Sequence, residues 1–418
     1  LKTKLWNRNF ICAVSGMVIS ALGGVGLNVA LGIIVFSETQ STILSAIFIS
    51  LSLIPQLVVP IVAGSLIDRR NPLNVLITNE LLLAAGSIVA GAVTYFYGFS
   101  YALFLVFSLL LSCFGVISHL ASQSIIPQIM SKDNYVRGNA IINIIYPFCS
   151  IVVAPIAVLI YTAFGIAPIL FAFGILCVID VAIESRIKVD FVFIESAKST
   201  FRDYAGDLKE AAAYMMNNRG VRSVLFFFSL VMLSTASYEV LLYPLFSRSE
   251  TLTDNQYALL ASIASAGYLV GGLLHYFIRI PDNRRYMIAV AVYLIFVGVD
   301  AVFFIFPYPL MCASRFLLGI LGMNSANIRV SAIQAEVPNI LRAKVNALFL
   351  VMTSASLLVG HMAAGALGEY LPYWLIQMSF QGFYLFGILF FVLPPRNKVR
   401  ELYNYSTETV NCENSEAK

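Results

Sequence analysis

Charge is what this sequence has least of. Asp, Glu, Lys and Arg together make up 11% of 418 residues, well below the roughly 25% of a soluble domain. Histidine is scarcer still: His119, His275 and His361 fall on three separate apolar runs, with no His-x-x-x-His pair and no cysteine partner. That spacing argues against a metal centre. Five of the six cysteines, Cys12, Cys113, Cys149, Cys177 and Cys312, sit singly in apolar runs, and Cys412 lies in a polar tail. No disulfide framework or zinc pattern is present, so they read as small core fillers. There is no phosphate loop, nucleophile triad or appended soluble domain, and neither an enzyme nor a cofactor or metal is expected. The two-residue alternation of a membrane barrel is missing as well.

What is present is apolar chain, 59% of it, with a mean hydropathy of +0.85. It gathers into twelve runs near 10–35, 42–66, 74–96, 101–125, 139–162, 167–187, 222–246, 255–278, 286–306, 309–330, 346–369 and 373–394. Each is long enough for a helix to cross ~30 Å of hydrocarbon, and a lipid-facing backbone has to satisfy its own hydrogen bonds. The first run is too long for a signal peptide and reads as a span. The expected fold is an all-α polytopic membrane protein, with 12 transmembrane helices in two pseudo-symmetric six-helix bundles.

The basic residues set the orientation. Of 26 Lys and Arg, 23 fall on alternate connections or the termini, Arg248 alone falls on the other set, and Arg315 and Arg329 lie inside the tenth run. By the positive-inside rule the crowded side is cytoplasmic. This predicts a multi-pass protein of a bacterial-type inner or plasma membrane with both termini in the cytoplasm. The net charge of +4 is then anchoring charge for anionic lipid headgroups and not a nucleic-acid surface.

The longest cytoplasmic connection divides the chain into an N-terminal bundle at 1–187, a linker at 188–221, a C-terminal bundle at 222–394 and a tail at 395–418. In the linker Phe201, Tyr204, Leu208, Ala211 and Met215 recur at helical spacing, opposite Arg202, Asp203, Lys209 and Glu210, which predicts an amphipathic helix. A strap between the halves and a regulatory segment both fit that pattern. The tail is polar and is expected to be disordered. The halves repeat each other: Ser124-Ile-Ile-Pro127 leads to Arg137-Gly-Asn139-Ala140, as Ala335-Glu-Val-Pro338 leads to Arg342-Ala-Lys-Val-Asn346-Ala347. Parallel repeats of this kind place a substrate site near the membrane midplane.

The connection between the second and third spans, Gly64-Ser-Leu-Ile-Asp68-Arg69-Arg70-Asn71-Pro72, resembles the signature loop of the major facilitator superfamily, GxxxD(R/K)xG(R/K)(R/K). Gly64, Asp68 and Arg69 match, Asn71 takes the second glycine position, and Pro72 and Leu73 replace the two basic residues. The resemblance covers 8–395. Asp180-Val-Ala-Ile in the sixth span and Arg137-Gly-Asn139 opening the fifth are most similar to the branch that exports drugs, macrolides and siderophores. The fourth span lacks the arginine common in family antiporters, and Ala154-Pro155-Ile-Ala157 stands where they often carry a GPxxGG-like element. An RxxxG spacing, Arg315-Phe-Leu-Leu-Gly319, occurs instead in the tenth span.

The resemblance implies a secondary active transporter exporting a bulky hydrophobic or amphiphilic small molecule against a flow of protons, by alternating access. It implies that Gly64, Asp68 and Arg69 restrain the inner gate, although the loop's charge could serve topology alone. A lipid or lysolipid flippase, or an uncoupled facilitator, fits the same fold. A membrane-embedded sensor or enzyme is the reading from another class.

Few carboxylates fall within the spans: Glu80, Asp180, Glu184, Glu239 and Asp300. Each is costly in hydrocarbon, by about 2.5 kcal/mol or more, and should face a partner or a cavity. Glu239, Asp300, Glu80 and Asp180 are the candidates for proton coupling, against a structural hydrogen bond for each. Glu184 is expected to snorkel towards Arg186 and Lys188. The link Phe306-Pro307-Tyr308-Pro309 makes the ninth and tenth spans antiparallel neighbours, and Asp300 and Arg315 lie at similar depths on them. A buried pair between the two is expected. In the superfamily the first, fourth, seventh and tenth spans line the cavity, so the resemblance nominates Asn28, Glu239, Arg315 and Asn324 as substrate contacts. The run Gly16, Ser20, Gly23, Gly24, Gly26 on the first span fits close helix packing or a locally opened helix.

Overall fold

A computed structural model of the chain describes residues 5–67, 71–130, 134–188, 201–277 and 280–404. Among the described residues the regular structure is helical throughout. In order the α-helices are α1 (Arg8–Thr39), α2 (Thr42–Leu51), α3 (Leu53–Ile67), α4 (Pro72–Tyr97), α5 (Tyr101–Ile129), α6 (Tyr135–Phe164), α7 (Ala167–Glu184) and α8 (Phe201–Asn217). They continue as α9 (Arg219–Ser247), α10 (Asp254–Phe277), α11 (Arg285–Val302), α12 (Tyr308–Glu336), α13 (Asn339–Gly368), α14 (Tyr373–Gly387) and α15 (Arg396–Tyr403). Among the described residues twelve helical segments are long and apolar enough to span a membrane, and along the chain α8 separates six from six. This is the all-α polytopic fold that the hydropathy predicts.

Two local breaks lie beside prolines. The second span divides between α2 and α3 at Ser52. Pro55 has no N–H for the Leu51 carbonyl four residues back, and its ring crowds that carbonyl. At the far end the twelfth span widens into a π turn over Ile388–Val392, just before Pro394 and Pro395 end it.

Compact unit 1 comprises Leu1–Phe201 with Phe246–Ser265, and unit 2 comprises Arg202–Leu245 with Ala266–Lys418. In unit 1, α1, α4 and α7 pack around Leu27, Phe104, Leu170 and Phe173. Ser87 Oγ donates to the Leu170 carbonyl at 2.7 Å, tying α4 to α7. At the end of α1, Gln40 takes a left-handed conformation, φ 54°. Arg248 donates to the Gln40 carbonyl at 3.0 Å and lies 5.3 Å from the Phe36 ring centre.

In unit 2 the core is aromatic: Phe227, Phe228, Tyr293 and Tyr384 cluster between α9, α11 and α14. The linker forms α8 and buries Ala211 and Met215 in this core, the face its periodicity marks. Lys344 closes on Asp207 and Glu210 at 2.8 and 2.6 Å. The described part of the tail, as far as Asn404, departs from the disorder expected of it, and 405–418 lie outside the described residues. Arg396–Tyr403 is a helix whose Val399, Leu402 and Tyr403 are buried in unit 2. Tyr403 Oη lies 3.0 Å from Tyr293 Oη. Three apolar side chains at i, i+3 and i+4 suffice to seat a short helix that composition marks as polar.

Candidate functional site

The charged centre of unit 2 is assembled by four spans. Gly360 lets α13 close directly on α9: a Cβ there would stand 2.6 Å from Ala236 Cβ and 2.7 Å from the Leu233 carbonyl. That approach brings the next residue, His361, against α9, where its Nε2 lies 2.9 Å from Glu239 Oε2. His361 is fully buried while the Glu239 side chain is 41% exposed. One nitrogen thus faces an accessible carboxylate, and Nδ1 is sealed with no hydrogen-bond partner. His361 donates to ionised Glu239 as its Nε2–H tautomer or as imidazolium, and its Nδ1–H tautomer accepts from protonated Glu239, so the contact survives a change of protonation on either side.

The second pair is Asp300 on α11 and Arg315 on α12, with Nη2 and Oδ1 2.9 Å apart and side chains 13% and 10% exposed. The guanidinium is sandwiched: its Cζ lies 3.8 Å from the Tyr238 ring centre and 3.9 Å from that of Phe303. Cation–π contact of this kind is worth about 2 kcal/mol when desolvated, and it offsets part of the cost of burying the cation. Gln377 on α14, fully buried, accepts from Ser237 Oγ at 2.7 Å and donates to the Asp300 carbonyl at 3.1 Å. It thereby ties α9 to α11 beside the pair. Tyr238 and Tyr268 lie within electrostatic reach of Arg315, Asp300 and Glu239 alike, so the two pairs share one neighbourhood.

The structure therefore brings Glu239, Asp300 and Arg315 together. Asn324 sits elsewhere on α12, donating to the Ile320 carbonyl at 2.8 Å and across to the Gly271 carbonyl on α10 at 3.3 Å. Asn28 is exposed on α1 in unit 1. Glu80 and Asp180 lie in unit 1, on α4 and α7, both buried. Glu80 accepts from Ser118 Oγ at 3.0 Å, and that hydroxyl accepts from Asn79 Nδ2 at 2.7 Å. Gly64 falls in α3, and Asp68 and Arg69 lie outside the described residues.

Sequence reading missed His361 and Gln377. A histidine 122 positions from its carboxylate carries no spacing signal. Reading Gly360-His361 as a small residue preceding a polar one on an apolar span would have been the available hint. Arg329, also on α12, has its guanidinium 4.1 and 5.0 Å from the Phe228 and Phe349 ring centres.

Comparison with known proteins agrees with this architecture. The profile of a family described as "Transmembrane secretion effector" matches residues 4–401. No curated protein sequence matches the chain. Among solved structures, a peptide transporter of the POT kind in complex with alafosfalin superimposes with a TM-score of 0.74 at 11% identity, over 96% of this chain and 97% of that one. A variant of the nucleoside transporter NupG gives a TM-score of 0.71 at 17% identity, over 92% and 99%. A bacterial homologue of the iron transporter ferroportin gives 0.66 at 15%, over 96% and 99%. At these identities the likeness is one of fold.

Proposed function

This chain belongs to the transmembrane secretion effector family of major facilitator transporters, and we propose that it is a proton-coupled exporter of bulky hydrophobic or amphiphilic compounds. It is a multi-pass membrane transporter of small molecules. The finer reading is that it works by alternating access in a bacterial-type cell membrane, with its termini in the cytoplasm. The secretion named by its family and the sequence resemblance to drug and siderophore exporters both support the outward direction. The basic asymmetry supports the orientation.

The observation that carries the proposal is the 2.9 Å contact between half-exposed Glu239 and sealed His361. A carboxylate reachable from outside the fold can attract a cationic or hydrogen-bonding group of an amphiphile. Protonation of Glu239 removes that attraction, and His361 behind it offers a second position for the proton. Substrate and proton then compete for one side chain, which is the minimum an antiporter needs. Tyr238, Tyr268 and Phe303 supply ring faces in the same neighbourhood. Asp300 with Arg315 holds the frame in which Glu239 moves. Glu80 and Asp180 serve as coupling groups of unit 1, and Gly64, Asp68 and Arg69 restrain the inner gate.

The test is proton release by the purified protein in weakly buffered detergent solution, against a panel of fluorescent amphiphiles. Compounds that bind should release protons, and Glu239→Gln should abolish the release while Gln keeps the shape and an acceptor oxygen. Binding with no proton exchange in the wild type would refute the competition.

A further inference from the structure

Among the described residues, unit 1 holds three buried carboxyl groups, Glu80, Asp180 and Glu184, with no basic partner. Asp180 and Glu184, one turn apart on α7, are 2% and 5% exposed. Glu184 thus turns inward and does not snorkel towards Arg186 and Lys188 as its place near the helix end predicts. The reason is Gly16 on α1. A Cβ at Gly16 would stand 2.5 Å from Asp180 Oδ1 and 3.0 Å from Glu184 Oε1, so any larger residue would push both carboxyl groups off α1. Asp180 Oδ1 and Glu184 Oε2 are sealed from solvent and have no hydrogen-bond partner.

The surroundings explain what is missing. On α4, Glu80 faces the pair but is itself satisfied by Ser118 of α5 and by the Cys177 thiol of α7. The α1 helix brings Gly16 and, two turns earlier at its start, Arg8. On α6, Tyr146 and Arg137 are exposed, and Tyr161 lies at the far end of the unit beside Ser37 and Glu38 of α1. Among the described residues no Lys, Arg or His forms an ion pair with Glu80, Asp180 or Glu184. Two like charges one turn apart in an apolar seam, with no cation, repel strongly. A hydrated metal ion is excluded sterically, because the oxygens abut the α1 backbone, and among the described residues no group of three side chains is arranged to hold a metal. A proton needs no such room. Placed on one carboxyl it removes one charge and supplies the O–H donor that the sealed oxygen of the other lacks.

We propose that Asp180 and Glu184 form a carboxyl pair that binds one exchangeable proton, sealed against Gly16 where α7 meets α1. The step is a simple association: a proton from water forms an O–H bond to one carboxylate, the site loses one negative charge, and release reverses it. Parting of α7 from α1 opens the pair to water, and closure over two ionised carboxylates is opposed by their repulsion, so the seam closes when protonated. This deepens the proton-coupling reading by giving unit 1 its own proton site, with Glu184 and Gly16 as parts that reading lacks. Only the use made of the proton rests on that reading, since binding itself stands on the seam.

The experiment is a titration of the full-length protein in detergent, with proton uptake counted and the carboxylic C=O stretch followed by infrared difference spectroscopy. The double variant Asp180→Asn, Glu184→Gln should bind about one proton fewer per molecule across the neutral range and lose the buried carboxylic band. The same difference of about one proton, and the same loss of the band, should appear when the double variant is made in a Glu239→Gln background, so the count is independent of unit 2. Should the double variant fail to fold, Glu184→Gln alone is decisive: the amide supplies the missing donor, and the band of the pair should still disappear. An unchanged proton count and band in a folded variant would overturn the proposal, as would displacement of the proton by sodium ions. Gradient-driven transport by Glu239→Gln would defeat the reading of unit 2 and leave this count untouched.

Discussion

Asp300 is the residue at which packing and transport separate. It is 13% exposed and faces a guanidinium already held between Tyr238 and Phe303. Removing its charge strands Arg315 in apolar surroundings, where breaking a buried pair costs about 3 kcal/mol or more. Asp300→Asn should therefore lower the thermal midpoint by several degrees, and Asp300→Asn combined with Arg315→Leu should recover much of the loss. Thermal melts of the purified protein check this, and equal melting of wild type and Asp300→Asn would contradict it. This pair was legible in the sequence, because a four-residue link, Phe306 to Pro309, fixes its two spans as antiparallel neighbours and depth can then be counted. The Glu239 to His361 contact was not. It depends on α13 closing on α9 at Gly360, a tertiary approach that hydropathy does not encode. Glu184 was misread for the same reason: its place near the end of α7 suggested water, while Gly16 on another helix offered a buried seat.

At the scale of elements, α15 shows how little apolar surface is needed to dock a helix. Its eight residues include Arg396, Lys398, Arg400 and Glu401, yet Val399, Leu402 and Tyr403 are buried. Asn404 adds two bonds, accepting from the Tyr286 N–H at 2.9 Å and donating to the Asn283 carbonyl at 3.1 Å. Tyr403→Ala would leave a cavity and remove one of the Tyr293 hydroxyl's two partners, the other being Ser325, a loss of about 3 kcal/mol. Tyr403→Phe should cost only about 1 kcal/mol, because the ring stays and one hydrogen bond goes. Melting curves for both variants measure the difference, and identical stability would mean that the helix merely rests on unit 2. The spacing of these three residues was present in the sequence, but four charged residues in eight outweighed it in any reading by composition. The split of the second span beside Pro55 was less legible, because Pro60, Pro127, Pro147, Pro155 and Pro244 lie inside helices that continue through them.

For the whole molecule, number of spans and helical class follow from run length and lipid physics, and the structure has both. Function sits in fewer residues than fold does. Five carboxylates inside apolar spans sufficed to mark where chemistry resides, since each must be repaid by a partner or a role. Which partners they have was settled only by tertiary contact. Three found hydrogen-bonding or charged partners in Ser118, His361 and Arg315. Among the described residues Asp180 and Glu184 have no charged partner, and both abut Gly16.

The central claim is that a proton gradient drives export through Glu239. Accumulation of an amphiphile that releases protons on binding, measured in reconstituted vesicles with an imposed pH gradient, tests it most directly. The account predicts uphill accumulation by the wild type, its loss in Glu239→Gln, and downhill exchange of the same compound retained by that variant. Full gradient-driven accumulation by Glu239→Gln would contradict it.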